Sequence, residues 1–289
     1  MNSSFRVKNH PDSLGVKCID ILFIILLEAW LRQTQAAAAL IRELGISDSN
    51  LEALQKVPWS SILQAQGNGR FGPIVDGTVI PRDPFDPVAP EISADVPMII
   101  GYTREDAAIQ NLSRFALTSN ELEAWAKNTY EENAPQILST YRKCYPDATP
   151  FQIQSRIQTD ANTGRRATTM AERKSAQHRG QAYLYVMTWP SPAFEGRFGA
   201  VHGVDLGLIL GNARNPIEGN TPEARKMADI VGSTIVAFSK NGDPNCDKIP
   251  TWQAFDAESR TTMLFDTESR VENDPTRELR LMWDQIWPT

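Results

Sequence analysis

At 289 residues, 41% hydrophobic and 22% charged, the chain is long enough to bury a sizeable core, which excludes a compositionally disordered protein. A formal net charge of -6 and a pI near 5.2 leave no dominant basic face, which argues against a nucleic-acid binder and for small, weakly charged ligands. Cys18, Cys144 and Cys246 are widely spaced and form no C-x-x-C pair, so they predict buried free thiols, with a Cys144–Cys246 bridge left open.

In chain order, the first feature is the apolar run "IDILFIILLEAW", residues 19–30. It carries Asp20 and Glu28 and falls short of the ~20 residues a membrane helix needs. It also lacks the charge-free core and small-residue cleavage site of a signal peptide, although Lys8 and Lys17 precede it. Neither a membrane span nor a leader is expected; no compartment is assigned, with the cytoplasm favoured.

Residues 28–44 are rich in helix formers, and Gly45 marks the stop. "SDSNLEALQKV" predicts a further short helix, capped by Ser47 or Asp48 and closed by Pro58. Asp76-Gly77 between two short β-branched runs reads as a turn, followed by a proline-rich loop. "VPMIIG", residues 96–101, is the pattern of a parallel strand buried on both faces.

Residues 107–178 read as several helices, with Thr118 and Glu121 in capping-box spacing. The basic stretch "GRRATTMAERKSAQHR" is expected on a solvated helix face rather than at an anion site. "QAYLYVMTW", residues 181–189, predicts a second core strand. A long helix begins at Thr221-Pro222 and stops before "NGDPN". "RTTMLFD" then predicts another strand, followed by a helix capped by Asp274 with Leu279, Met282, Trp283 and Ile286 on one face. No internal repeat is visible, and strands alternating with helices give an α/β class.

Of the three histidines, His10 and His178 lack a catalytic context. His202, in "FGAVHGVDLGLILGN", follows a core strand on a loop, where open α/β sheets place functional groups. An imidazole there can take and return a proton at neutral pH if a carboxylate orients it. The other strand ending in a polar loop offers Glu105 and Asp106 in "YTREDA". An acid and then a histidine, each after a strand, match the later part of the Ser, acid, His order of α/β-hydrolases. Asp205 reads as a loop-fixing, turn or capping residue, not a metal ligand. Met263, Met282 and the seven tryptophans read as core, Trp189 being also a candidate wall of an acyl or alcohol pocket.

"GPIVDG", "VPMIIGYTREDA", "GAVHGVDLGLILGN", "AFSKNGDPN" with Trp252 downstream, and "RTTMLFD" occur in an order that resembles the C-terminal half of type-B carboxylesterases, the family that includes cholinesterases. The resemblance covers roughly residues 33–287 and leaves 1–32 as an unmatched segment before a carboxylesterase-like region, 33–289. It implies the C-terminal portion of an α/β-hydrolase fold, a mostly parallel sheet flanked by helices with the N-terminal half missing. It also implies serine-dependent hydrolysis of carboxylic esters, with Asp106 at the acid position and His202 at the histidine position. The family usually reads basic-Asp-Glu at the acid loop; this chain reads Arg104-Glu105-Asp106, which makes Glu105 the fallback acid.

A G-x-S-x-G elbow does not occur in these 289 residues, and neither does a glycine-rich oxyanion loop. "HPDSLG" around Ser13 is the nearest imitation, with Pro11 in place of the first glycine. His202 therefore reads as the base of a serine not found in this sequence, and the chain alone is expected to be inactive or nearly so. A small-molecule ester is the expected substrate once the fold is completed, with a second chain carrying the N-terminal half as a possible partner. No cofactor, metal, nucleic acid or membrane span is expected. Two further readings are a non-catalytic, cholinesterase-like interaction protein and an incomplete product of an esterase gene.

Overall fold

The computed structural model describes residues 35–67 and 71–287. The expectations for the apolar run 19–30 and for His10, Ser13 and Cys18 lie outside the described residues. The chain divides into two units, Met1–Asp86 and Pro87–Thr289.

In the first unit, residues 35–43 are helical (α1). The helix closes as expected at Gly45: Gly45 N–H donates to Arg42 O and Ile46 N–H to Ile41 O, both at 3.0 Å. The next element departs from expectation. It is a 3₁₀ turn, Leu51–Lys56, preceded by Asn50 with no side-chain cap, while Ser47 bonds to Ser49 instead. Pro58 opens a second helix, Trp59–Gln66 (α2), rather than closing the first. Asp76 makes the expected turn, but its flanks do not pair as strands. Its Oδ1 accepts the N–H groups of Thr78, Val79 and Ile80 at 2.8–2.9 Å, and these bonds draw its carboxyl below the ordinary range.

The second unit is built on a four-stranded sheet in the order β1 (Met98–Thr103), β2 (Ala182–Met187), β3 (Thr261–Phe265), β4 (Arg270–Asn273). The first three strands are parallel and β4 returns antiparallel to β3. Every residue of β2 is buried. Its alternation splits the core in two: Tyr183, Tyr185 and Met187 belong to one cluster, Ala182, Leu184 and Val186 to the other.

The larger cluster takes in helices α3 (Ser119–Tyr130), α4 (Ala134–Cys144), α5 (Pro150–Thr159), α8 (Pro222–Asn241) and α9 (Arg277–Ile286). The smaller one is closed by α6 (Arg165–Ser175) through Ala167 and Ala171. A short helix α7, Val204–Ile209, precedes α8. The capping box at Thr118 and Glu121 forms, and Thr221 caps α8 by accepting Ala224 N–H.

Three expectations are corrected here. β1 is only half-buried over Met98–Gly101, because among the described residues it pairs on one side alone. The basic stretch of α6 is not simply solvated, since Lys174 is buried and its ammonium donates to the carbonyls of Ser93 and Ala94 at 2.7 Å. Asp274 does not cap α9; its carboxylate is taken by Arg280, at 2.6 Å, and Arg260, at 3.5 Å. Trp189 is buried in the larger core cluster, in keeping with its reading as a core residue. Cys144 and Cys246 are both free thiols, and Leu279, Met282 and Trp283 are buried as their spacing predicts.

Candidate active site

The site forms at the carboxyl ends of β1 and β2. Beyond the strands β1 changes partner: Arg104 N–H still donates to Met187 O at 2.9 Å, but Glu105 N–H donates to Ala200 O at 3.0 Å, where the chain has returned to the sheet after residues 188–199. An isolated parallel bridge pairs Glu105 with Val201. The residues that follow on each segment, Asp106 and His202, are therefore neighbours, although 96 positions separate them. Their side chains meet with His202 Nδ1 2.7 Å from Asp106 Oδ1. An ionised carboxylate can only accept, so Nδ1–H donates and the neutral ring carries its lone pair on Nε2.

Glu105, the alternative acid, is engaged elsewhere. Its side chain is 2% exposed; Oε1 accepts from Arg156 Nε at 2.5 Å and Oε2 from Ala200 N–H at 2.7 Å. Arg156, 11% exposed, lies with its guanidinium 4.1 Å from the centre of the Tyr145 ring. This buried pair ties α5 to the loop that presents His202. It requires Gly199, where φ is +65° and a Cβ would lie 2.5 Å from Glu105 Oε2.

Asp106 opens a 3₁₀ segment, Asp106–Arg114, held by α5: Ala107 N–H donates to Thr159 Oγ1 at 3.0 Å, and Asn111 Nδ2 to Gln158 Oε1 at 2.7 Å. Two threonine hydroxyls also reach its carboxylate, Thr103 at Oδ1 (3.3 Å) and Thr163 at Oδ2 (3.1 Å). The His202 ring is 58% exposed and Asp106 19%. Nε2 has no hydrogen-bond partner among the described residues.

Asp205, in the first turn of α7, accepts from Tyr185 OH at 2.9 Å and so pins the helix that follows His202 to β2. The Tyr185 ring lies over Gly101, where a Cβ would come within 2.4 Å of it. Burial pushes the Tyr185 phenol well above its ordinary range, so it stays a neutral donor. Arg156, Thr163 and Tyr185 reach Glu105, Asp106 and Asp205 across 20 to 57 residues of sequence, with no local pattern to mark them.

Asp160, three residues before Thr163, borders a cavity of about 80 Å³ that is also lined by Tyr102, Arg165, Glu172, Arg260 and Arg280. Its Oδ2 accepts from Tyr141 OH at 2.6 Å, and Tyr141 in turn accepts from Trp283 Nε1 at 3.0 Å. Burial pushes the Asp160 carboxyl up to about 7. Among the described residues no cluster of three or more His, Cys, Asp or Glu is placed to hold a metal. No helix among them is long and apolar enough to cross a membrane.

The sequence model of the carboxylesterase family matches residues 27–283. Among curated proteins, the chain is similar to the para-nitrobenzyl esterase of Bacillus subtilis (strain 168), 24% identical over 264 residues, covering 84% of this chain and 51% of that protein. It is likewise similar to the phenmedipham hydrolase of Pseudarthrobacter oxydans, 24% identical over 272 residues, covering 84% and 52%. Among solved structures, a carboxylesterase of Geobacillus stearothermophilus superposes with a TM-score of 0.67 at 25% identity, over 86% of this chain and 54% of that one. The chain thus spans about half the length of the curated relatives it matches.

Proposed function

This chain belongs to the carboxylesterase family, and from that premise we propose that Asp106 and His202 are the acid and general base of a Ser-acid-His acyl transfer on carboxylic esters, with the serine supplied by polypeptide outside these 289 residues. The observation that carries this reading is the 2.7 Å contact between His202 Nδ1 and Asp106 Oδ1 at the carboxyl ends of two parallel strands.

In that reaction the serine oxygen attacks the ester carbonyl while His202 Nε2 takes its proton. Asp106 keeps the proton on Nδ1 and stabilises the imidazolium that forms. His202 then gives its proton to the departing alcohol oxygen, which leaves an acyl-serine. Water, deprotonated by the same Nε2, releases the acid and restores the serine. The exposed face of His202 leaves Nε2 open to such a donor.

The open side of β1 supports a second polypeptide as the source of the serine. Met98–Thr103 pairs only with β2 among the described residues, which leaves a row of backbone donors and acceptors for a further strand. By itself the chain is then a poor catalyst, because an acid and a base without a nucleophile give little acyl transfer.

The test is hydrolysis of a short p-nitrophenyl ester by the purified chain and its H202A and D106N variants. Each is assayed alone and with a separately produced N-terminal half of the Bacillus subtilis para-nitrobenzyl esterase. Turnover is expected only in the mixture and only with His202 present. Turnover by the lone chain that H202A abolishes would refute the missing nucleophile, and a mixture equally active with H202A would refute the base.

A further inference from the structure

We infer that Thr163 is a positioning residue for the Asp106–His202 pair, delivered to the carboxylate by a π-helical turn. The inference rests on the reading of that pair as acid and base.

Residues 150–175 run as one helix except at Asp160–Gly164, where the ladder widens and Arg165 N–H donates to Asp160 O, five residues back. Such a turn inserts one residue into an α-helix, packs less well than the regular ladder, and tends to occur where a side chain must be re-aimed. Here the side chain on the widened turn that reaches the candidate site is Thr163, with its hydroxyl 3.1 Å from Asp106 Oδ2. The carboxylate has no proton to give, so the threonine donates.

With that bond, both oxygens of Asp106 are held. Oδ1 takes His202 Nδ1 and the Thr103 hydroxyl, and Oδ2 takes Thr163. A carboxylate held by one oxygen can rotate about its terminal torsion, which is broad and nearly two-fold. Held by both, it keeps one lone pair aimed at Nδ1–H, and a short Asp side chain has little other means of keeping that aim.

The turn itself is fastened at both ends. Asp160 is bonded to Tyr141, and Gly164 lies so close to the Tyr102 ring that a Cβ there would sit 3.1 Å from it. The widened geometry is thus built into the packing of α4 and β1.

The test is the tautomer of His202, read from the ¹⁵N shifts of its ring nitrogens in the histidine-labelled 289-residue chain at a pH where the imidazole is neutral. H202A supplies the assignment. Wild type and T163S are expected to hold the Nδ1–H tautomer that the carboxylate selects. T163V should lower the ratio of Nδ1–H to Nε2–H by roughly fivefold to tenfold, the scale of one ordinary net hydrogen bond. T163A gives the same reading should the valine variant not fold. A folded T163V or T163A with the wild-type ratio, or a T163S as displaced as T163V, overturns the role of Thr163. No ester is present, so an absence of esterase activity leaves this result intact, whereas a wild-type ring already in the Nε2–H form overturns the Asp106–His202 pairing and the inference with it.

Discussion

Replacing Asp160 with asparagine should make the protein more stable at neutral and alkaline pH and leave it unchanged in acid. Burial raises the Asp160 carboxyl from 3.8 to about 7, against the smaller opposing pulls of the Tyr141 hydroxyl and the Arg156 charge. A folded-state value above the unfolded one means that, between about pH 4 and about pH 7, the native protein holds a proton that the unfolded chain has released. Stability therefore falls as pH rises through that window.

At about 1.4 kcal/mol for each tenfold change in proton affinity, the rise limits the loss to about 4 kcal/mol. Solvent reaching Asp160 through the neighbouring cavity trims it to roughly 2–3 kcal/mol. The asparagine accepts the same Tyr141 hydroxyl without carrying a charge. In urea unfolding followed by tryptophan fluorescence, the stability of D160N minus that of wild type should widen from near zero at about pH 4 to roughly 2–3 kcal/mol at about pH 8. Parallel stability curves across that range would refute the reasoning, since Asp160 would then titrate alike in both states.

R156M leaves the Glu105 charge buried beside a thioether, and the unfolding free energy should drop by about 3 kcal/mol. G199A forces a Cβ onto the Glu105 carboxylate at a positive φ and should cost about 3 kcal/mol, with a crystal structure of the variant showing Glu105 displaced. H202A alters a ring that is 58% exposed, so denaturation midpoints should move by no more than about 0.5 kcal/mol equivalent. A larger loss would mean that His202 is a structural residue. Cys144, whose thiol is pushed up by burial, should react with iodoacetamide more slowly in the native protein than in urea.

Strands β1, β2 and β3 were legible because each is a β-branched or aromatic run, and α3 and α8 because Thr118 and Thr221 carry their caps in plain sequence. β4 was not. "RVEN" has one apolar residue, and it becomes a strand only because β3 offers an edge in antiparallel register. The 3₁₀ turn at Leu51–Lys56 and the loss of Asp274 as a cap have a shared cause: a tertiary partner or a local bond took the group that local pattern had assigned to a helix end. His202 stood out by following a strand. The resemblance put Asp106 ahead of the adjacent Glu105, but what holds Glu105 away from His202 lies in its register with Val201, a pairing across 96 residues that no local window contains. Thr163 was beyond reach for a further reason: a π-turn leaves no signature in composition or periodicity.

The bridge between Glu105 and Val201 has a consequence for how this region tolerates change in length. The distance from Asp106 to His202 is set by two backbone ladders meeting at one rung, not by the path of the chain through residues 188–199. Residues added to the outer part of that path would bulge into solvent and leave the rung in place. A single residue added between Val201 and His202 would turn the imidazole away from its carboxylate. Variation in loop length is thus confined to the exposed tip around residues 194–197, whereas the buried Trp189, Ser191 and Phe198 and the short stretch from Gly199 to His202 are fixed.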